Sequence, residues 1–262
     1  MSHIIKKPSI PSQHTKLKQP QGLRIQQKPT MITLVDKLKN NLNLSDMIVR
    51  IMLKYDRKKF HPVKDFTVYY DRPKIIPNTK QTMSAPHIHA MTLQAMEPIL
   101  EKALLKVKGD YKKLNFNILD VGCGTGYVTA TMAGMIHIKE NRSRVVAIDI
   151  FDNLVQLTKR NLRNSGFSPE LNRGKIVVRN KDGWQGHSVY APYMFINVGA
   201  SADKVPKTLY HQLDIGGAML IPINGEYMLI QKVIKNSIIT MVKKKLTDVR
   251  FVKLIKRNKN NK

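Results

Sequence analysis

An eleven-residue stretch, Asn117–Tyr127, constrains the fold of this chain more than any other part of it. It reads N-I-L-D-V-G-C-G-T-G-Y, and its apolar first half predicts a buried strand. Three glycines follow at alternate positions: Gly122, Gly124 and Gly126. The small residues of Tyr127–Met135 then predict a helix. A strand, a glycine turn and a helix bring a ligand against bare backbone, because glycine has no Cβ and the first helical turn has free N–H groups. The alternative is a plain tight turn.

A second strand, which ends in an acid, is predicted at Arg144–Asp149. In a Rossmann-like sheet, an acid at the carboxyl end of the second strand accepts hydrogen bonds from ribose hydroxyls. Asp149 is therefore a candidate nucleotide-binding residue. The alternative is that Asp149 only caps the helix that is predicted at Asp152–Leu162.

The glycine motif, with Asp120 ahead of it, resembles the first motif of S-adenosylmethionine (SAM)-dependent methyltransferases. A third predicted strand, Lys175–Arg179, leads into Asp182 and Gly183, where the resemblance implies an acid near the adenine amino group. The three strand ends together predict a SAM pocket, and no metal site is predicted. The candidate cofactor-binding residues are Asp120, Gly122, Gly124, Gly126, Asp149, Asp182 and Gly183.

Positive charge is the unusual feature of the composition. The chain has 45 Lys and Arg residues against 18 Asp and Glu, a formal net charge of +27. Both ends are basic, with no acid before Asp36 and a single acid, Asp248, after Lys232. Such an excess is typical of proteins that contact nucleic acid or an anionic surface. The alternative is the lysine-rich codon usage of an AT-rich genome.

The decapeptide Gln81–Ala90, Q-T-M-S-A-P-H-I-H-A, identifies a family. It resembles the substrate loop of protein-L-isoaspartate O-methyltransferases and leads into a predicted helix, Met91–Leu105. The resemblance extends in order and spacing from about Leu34 to Pro222. Further matching segments are Asp56-Arg57 with Phe60, Tyr70–Pro73, Ala191–Tyr193, Val198–Ala200, Val205-Pro206 and Gln212–Pro222, with a weaker match at Val249–Val252.

The resemblance implies methyl transfer from SAM to the free carboxylate of an isoaspartyl residue in a protein or peptide, the first step in repair of damaged aspartate and asparagine sites. It implies that Ser84 is the catalytic residue and orients this carboxylate. The implied substrate-binding residues are Thr82, Ala85, His87 and His89. A carboxylate is already ionised at neutral pH, so the reaction needs no strong general base. The alternatives are that Ser84 caps the following helix and that both histidines are ordinary loop residues.

The predicted fold is α/β: one doubly wound, mostly parallel, Rossmann-like sheet with helices on both faces and a helical N-terminal extension over the cofactor crevice. Residues 1–30 are predicted to be a basic arm that is disordered or bound to a partner. Residues 31–110 form the extension with the substrate loop, 111–235 the SAM-binding core, and 236–262 an edge strand and a basic tail. No apolar run is long enough to span a membrane. The single cysteine, Cys123, cannot form an intrachain disulfide and favours a reducing compartment.

Several positions depart from the family pattern, mostly on the substrate side. The departures are Asn78, Lys80, Lys181, Met194, Asn197, Lys253 and Ile255. Lys80 stands where a glycine is usual and is expected to narrow the pocket. The departures support a second hypothesis, in which methyl-transfer activity is reduced or lost and the fold serves a ribonucleoprotein such as a mitochondrial ribosome, whose rRNA and ribosomal proteins its basic ends contact. The expected location is mitochondrial, with the cytoplasm as the alternative, and RNA methylation is a weaker third hypothesis.

Overall fold

The computed structural model describes residues 28–257, and the first part of this range is mainly helical. Its elements are α1 (Met31–Leu42), α2 (Asp46–Lys54), the short strands β1 (Lys74–Ile75) and β2 (Thr82–Met83), and α3 (Pro86–Lys106). Thr30 caps α1 by accepting a hydrogen bond from the Thr33 N–H at 3.2 Å, and Ser45 caps α2 in the same way through Ile48 at 3.3 Å. The rest of the predicted basic arm, residues 1–27, lies outside the described residues.

Helix α3 begins at Pro86, five residues before the predicted start at Met91. Proline suits the first helical position because its missing N–H has no partner to lose there. The N-cap residue, Ala85, makes no side-chain cap, and a distant residue takes that role: the Asp71 carboxylate accepts hydrogen bonds from the His87 N–H at 3.0 Å and from the His87 ring Nδ1 at 2.8 Å. Both His87 and His89 are therefore helical residues, and the alternative in which they are ordinary loop residues is wrong.

A seven-stranded sheet forms the centre of the molecule. Its strands are β3 (Ile118–Val121), β4 (Val145–Asp149), β5 (Ile176–Asn180), β6 (Tyr193–Val198), β7 (Leu213–Ile223), β8 (Glu226–Lys235) and β9 (Ile238–Asp248). The spatial order is β5-β4-β3-β6-β7-β8-β9. The first five strands in this order are parallel, and β8 and β9 are antiparallel additions at one edge. The carboxyl ends of β3, β4 and β6 thus meet at one side of the sheet, where open α/β sheets bind ligands.

Four further helices complete the fold: α4 (Tyr127–Met135), α5 (Asp152–Leu162), α6 (Ser168–Asn172) and α7 (Lys207–Gln212). Neighbouring residues of β3 point to opposite faces, so Ile118 packs in the core with α1–α6 while Leu119 packs in the core with α7. The doubly wound, mostly parallel α/β fold predicted from the sequence is confirmed. Among the described residues, no helix combines the length and the apolar character that crossing a membrane requires.

Candidate functional site

The glycine turn after β3 presents bare backbone to open space. Gly122 and Gly124 have φ values of 77° and 54°, in the left-handed region that favours glycine. A Cβ added to Gly124 would meet no atom closer than 3.9 Å, so the space beside it is free for a ligand. Gly126 differs, because a Cβ there would approach Thr158 of α5 at 3.0 Å. Gly126 therefore allows two helices to pack closely and does not line the cavity beside the turn.

Asp149, at the end of β4, holds the glycine turn in place. Its carboxylate accepts hydrogen bonds from the Gly124 N–H at 3.0 Å and from the Phe151 N–H at 3.1 Å. Only 5% of the residue is exposed, and this burial raises the pKa of its carboxyl. The N-cap of α5 is Phe151, so the alternative in which Asp149 caps that helix is wrong. The side chain lines the cavity described next, where it can accept a hydrogen bond from a hydroxyl group.

A cavity of about 300 Å³ lies over the carboxyl ends of the strands. Its walls are the glycine turn, the end of β4, the loop that carries Ser84, and residues 248–255 near the C-terminus. Four of the predicted substrate-side residues line it: Thr82, Ser84, Ala85 and His87. Residues from both predicted half-sites, cofactor and substrate, thus face one space. The size and the mixed apolar and polar lining fit a small-molecule site.

Residues 249–257, here called the C-terminal strap, close one side of this cavity. Ser201 fixes the strap through two backbone hydrogen bonds of 2.8 Å. The Ser201 N–H donates to the Val252 carbonyl, and the Ser201 carbonyl accepts from the Leu254 N–H. The indole N–H of Trp184 donates to the Leu254 carbonyl at 2.9 Å. The weak sequence match at Val249–Val252 gave no sign that this segment returns to the cofactor crevice, because the contacts span more than fifty residues of chain.

Asp182 and Gly183 occupy different environments. The Asp182 carboxylate accepts hydrogen bonds from the Trp184 N–H at 2.9 Å and the Arg257 N–H at 3.0 Å, so it ties a turn to the strap. It is not among the residues that line the cavity, whereas Gly183 is. A Cβ on Gly183 would come within 2.8 Å of side-chain atoms of both Val121 and Leu254, so a larger residue would crowd the space between β3 and the strap.

A buried arginine that the sequence analysis assigned no role organises the Ser84 loop. Arg57 is only 1% exposed. It donates to the Ser84 carbonyl at 2.7 Å, to His89 Nδ1 at 2.8 Å and to the Val68 carbonyl at 2.9 Å. Burial lowers its pKa to about 10, so it stays charged at neutral pH. In the sequence, Arg57 appeared only in the family match at Asp56-Arg57, and that match indicates no chemical role.

Arg57 also fixes the protonation of His89. Because a guanidinium only donates, Nδ1 of His89 must accept, and the ring proton is on Nε2. Burial and the neighbouring charge of Arg57 hold the pKa of His89 well below its usual value. His89 is thus neutral and lies in the wall of a second, smaller cavity behind Ser84. Ser84 itself is half-buried, and the N-cap of α3 is Ala85, so the alternative in which Ser84 is the cap is wrong.

The smaller cavity, of about 50 Å³, has Asp120 in its wall. The Asp120 carboxylate accepts hydrogen bonds from the Thr129 hydroxyl and, at 2.8 Å, from the Asn197 side-chain amide. Burial raises the pKa of Asp120 to about 6, although both hydrogen bonds act in the opposite direction. Asn197, one of the departures from the family pattern, therefore supports Asp120 directly.

The two departures before the Ser84 loop do not enter the cavity. Asn78 has a left-handed φ of 60°, a conformation that glycine and asparagine tolerate best. Lys80 is exposed and is not among the cavity-lining residues, so the expectation that it narrows the pocket is wrong. Three other departures, Lys181, Lys253 and Ile255, do line the cavity.

Comparison with known proteins connects this site to one family. The family model of protein-L-isoaspartate(D-aspartate) O-methyltransferase matches residues 30–259. The chain is 36% identical over 225 residues to protein-L-isoaspartate O-methyltransferase 1 of Arabidopsis thaliana, covering 86% of this chain and 90% of that protein. It is 35% identical to the Caenorhabditis elegans protein-L-isoaspartate O-methyltransferase, over 76% of this chain and 83% of that protein.

A solved structure gives the same relationship. A Plasmodium falciparum protein, described as a protein-L-isoaspartate O-methyltransferase in complex with S-adenosyl-L-homocysteine (SAH), superposes on this chain with a TM-score of 0.71. The two are 29% identical, and the match covers 87% of this chain and 99% of that one. A second structure, described as a protein-L-isoaspartate O-methyltransferase, has a TM-score of 0.66 at 24% identity and supports the fold.

Proposed function

Since the chain belongs to the protein-L-isoaspartate O-methyltransferase family, we propose that it transfers the methyl group of SAM to the free carboxylate of an isoaspartyl residue. The products are a methyl ester and SAH. The proposed substrates are isoaspartyl-containing proteins and peptides, and the proposed role is the start of their repair. The observation that carries this proposal is that the glycine turn and the Ser84 loop line the same cavity.

The residues at the glycine turn suit the methyl donor. Gly122 and Gly124 leave room for a nucleoside against the backbone, and the buried Asp149 carboxylate can accept hydrogen bonds from ribose hydroxyls. When bound, SAM supplies an electrophilic methyl group on a sulfonium centre. Gly183 and the strap form further parts of the wall of the same cavity.

The residues on the opposite wall suit a carboxylate. Ser84 has a hydroxyl that can donate to one carboxylate oxygen, and the position of its backbone is fixed by Arg57. The buried positive charge of Arg57 also favours an anion close to the Ser84 loop, since Coulomb interactions are strong where water is excluded. His89 is kept neutral and can only donate through Nε2.

The protein then accelerates the reaction by positioning the two reactants and not by transferring a proton. An ionised carboxylate oxygen forms the new bond to the methyl carbon while the carbon–sulfur bond breaks, and no proton moves. Walls that hold the oxygen and the methyl carbon in line convert an encounter in solution into an intramolecular step. Ser84 is accordingly proposed as the catalytic residue, with Thr82, Ala85 and His87 beside it at the cavity wall.

The proposed function is tested with labelled SAM and two peptides that differ only in having an isoaspartyl or a normal aspartyl residue. We expect alkali-labile methyl ester on the isoaspartyl peptide alone. In Ser84→Ala, kcat should fall by about tenfold or more, because a donor that positions an oxygen in a reaction is worth that much. Ser188→Ala, at an exposed serine away from the cavity, is the matched control and should keep full activity. No ester with either peptide would contradict the proposal.

The net charge of +27 keeps a second proposal open: binding of a structural RNA, with a mitochondrial location. None of the relatives reported above is described as a ribosomal or RNA-binding protein. Much of the basic N-terminal arm lies in residues 1–27. Deleting these residues should weaken association with rRNA at moderate salt and leave SAH affinity unchanged. Unchanged rRNA association would remove the support for this second proposal.

A further inference from the structure

The mouth of the cavity carries three cations that no described residue neutralises. Lys181, Arg250 and Lys253 line the cavity and are exposed. None of the three side chains has an ion pair or a hydrogen bond with another described residue. We refer to these three residues as the basic rim.

The acids that line the same cavity are already engaged. Asp149 accepts hydrogen bonds from two backbone N–H groups inside the glycine turn. Asp248 pairs with Lys245 at 2.9 Å. The field at the mouth is therefore positive, and it comes from side chains with no internal partner.

The strap holds the backbone on either side of its two rim cations, Arg250 and Lys253, in place. The backbone is bonded on both sides of Arg250, by Val249 to the Gly225 carbonyl at 2.7 Å and by the Val252 carbonyl to Ser201 at 2.8 Å. Lys253 lies between the two Ser201 bonds. Because this backbone is held in place, a ligand that pairs with these side chains does not have to order a free tail.

Two of the three cations, Lys181 and Lys253, are among the departures from the family pattern named in the sequence analysis. Neither substitution is needed for the glycine turn or the Ser84 loop, since neither side chain bonds to them. The two lysines add charge at the mouth and leave the inner walls unchanged.

We propose that the basic rim selects isoaspartyl substrates whose neighbouring residues are acidic. The proposal rests on the proposed function and concerns its substrate class. The isoaspartyl carboxylate has to reach Ser84 inside the cavity, so the residues on either side of it stay at the mouth, beside Lys181, Arg250 and Lys253. Acidic flanks pair with the rim, and basic flanks are repelled by it.

The test uses three isoaspartyl peptides of one sequence, in which the flanking positions carry glutamate, glutamine or lysine. We expect kcat/KM to be about tenfold higher for the glutamate than for the lysine peptide, because each exposed pair contributes only a small factor. The preference should shrink as ionic strength rises, since salt screens exposed charges. Equal values for the three peptides at low salt would overturn the proposal.

Variants that remove charge test whether the basic rim causes the preference for acidic flanks. The double variant Lys181→Gln with Lys253→Gln should reduce the ratio between glutamate and lysine peptides to about threefold or less, because only Arg250 remains. Lys243→Gln, which removes one charge from an exposed position of β9 outside the cavity, should keep the wild-type ratio. The same loss in both variants would show that total charge decides, against the proposal.

Failure of the proposed methyl transfer can be distinguished from failure of the charge selection by a binding measurement. If no peptide is methylated, the charge selection is still measured by fluorescence anisotropy of labelled peptides on the full chain with SAH. Tighter binding of the glutamate peptide, lost in the double lysine variant, supports the rim. A labelled RNA that binds more tightly than this peptide, with the same loss in the double variant, would assign the rim to nucleic acid and overturn the proposal.

Discussion

At the scale of single residues, the unusual group is a buried guanidinium whose three hydrogen bonds all go to uncharged acceptors. Arg57 bonds to the carbonyls of Val68 and Ser84 and to the ring of His89. No carboxylate of a described residue lies within ion-pair distance of it. Burying an unpaired charge is costly, so its position beside the Ser84 loop fits a site whose substrate brings the negative charge.

Arg57→Lys tests this role. Lysine keeps the charge but cannot reach three separated acceptors, so we expect the free energy of unfolding to fall by about 2 kcal/mol, the cost of buried groups left without partners. The kcat should fall by about tenfold because the Ser84 loop is no longer fixed. Urea unfolding and the methyl-transfer assay measure the two effects. Arg72→Lys, at an exposed arginine, is the control. Full activity in Arg57→Lys would contradict the role.

Asp120 gives a prediction about pH. Its pKa in the folded protein is raised to about 6, whereas the unperturbed value is 3.8. The folded state therefore holds the proton more tightly, and the stability contributed by Asp120 is present below about pH 4 and lost as pH rises through about 6. Asp120→Asn has no ionisable group at this position, so its stability should not fall in this way as pH rises.

The measured quantity is the free energy of unfolding of Asp120→Asn minus that of the wild type. It should rise by up to about 3 kcal/mol between pH 4 and pH 7, since one pKa unit corresponds to about 1.4 kcal/mol. His89 acts in the opposite sense, because its lowered pKa makes the protein less stable as pH falls below about 6.5. Because both proteins contain His89, its contribution cancels in the difference between their free energies of unfolding. A difference that does not change with pH would contradict the assignment.

At the scale of elements, the local sequence predicted the core of the site well. The predicted boundaries of α4 and α5 coincide with the observed ones, and β3 lies in the predicted apolar run, because a glycine turn and a change from apolar run to helical pattern are local signals. The start of α3 was missed because the carboxylate that accepts from its first turn belongs to Asp71, fifteen residues upstream of the helix. The strap and Arg57 were missed because their contacts join distant parts of the chain.

Truncation tests the strap as an element. Ending the chain after Val249 removes one wall of the cavity, and we expect SAH affinity to fall by about tenfold because apolar and backbone contacts are lost. The sheet should remain folded, since β9 ends at Asp248. Ending the chain after Arg257 keeps the strap and serves as the control. Calorimetric SAH titration of both truncations gives the result, and equal affinity would contradict the role of the strap.

At the scale of the whole molecule, the fold brings two walls from distant parts of the chain to one cavity. The donor wall comes from the β3 and β4 ends, and the acceptor wall comes from the N-terminal extension through the Ser84 loop. The methyl donor is proposed to bind at the glycine turn. This binding is tested by a pair of glycine substitutions that carry the same backbone strain.

The most direct measurement is calorimetric titration of SAH into Gly124→Ala and Gly109→Ala. Both glycines have left-handed φ values, 54° and 76°, and in both cases an added Cβ meets no atom closer than 3.9 Å. Only Gly124 lines the cavity. We predict that SAH affinity falls at least about tenfold in Gly124→Ala and stays at the wild-type value in Gly109→Ala, with a similar strain cost of about 1–2 kcal/mol in both. Equal SAH affinity in the two variants would contradict binding of the methyl donor at the glycine turn.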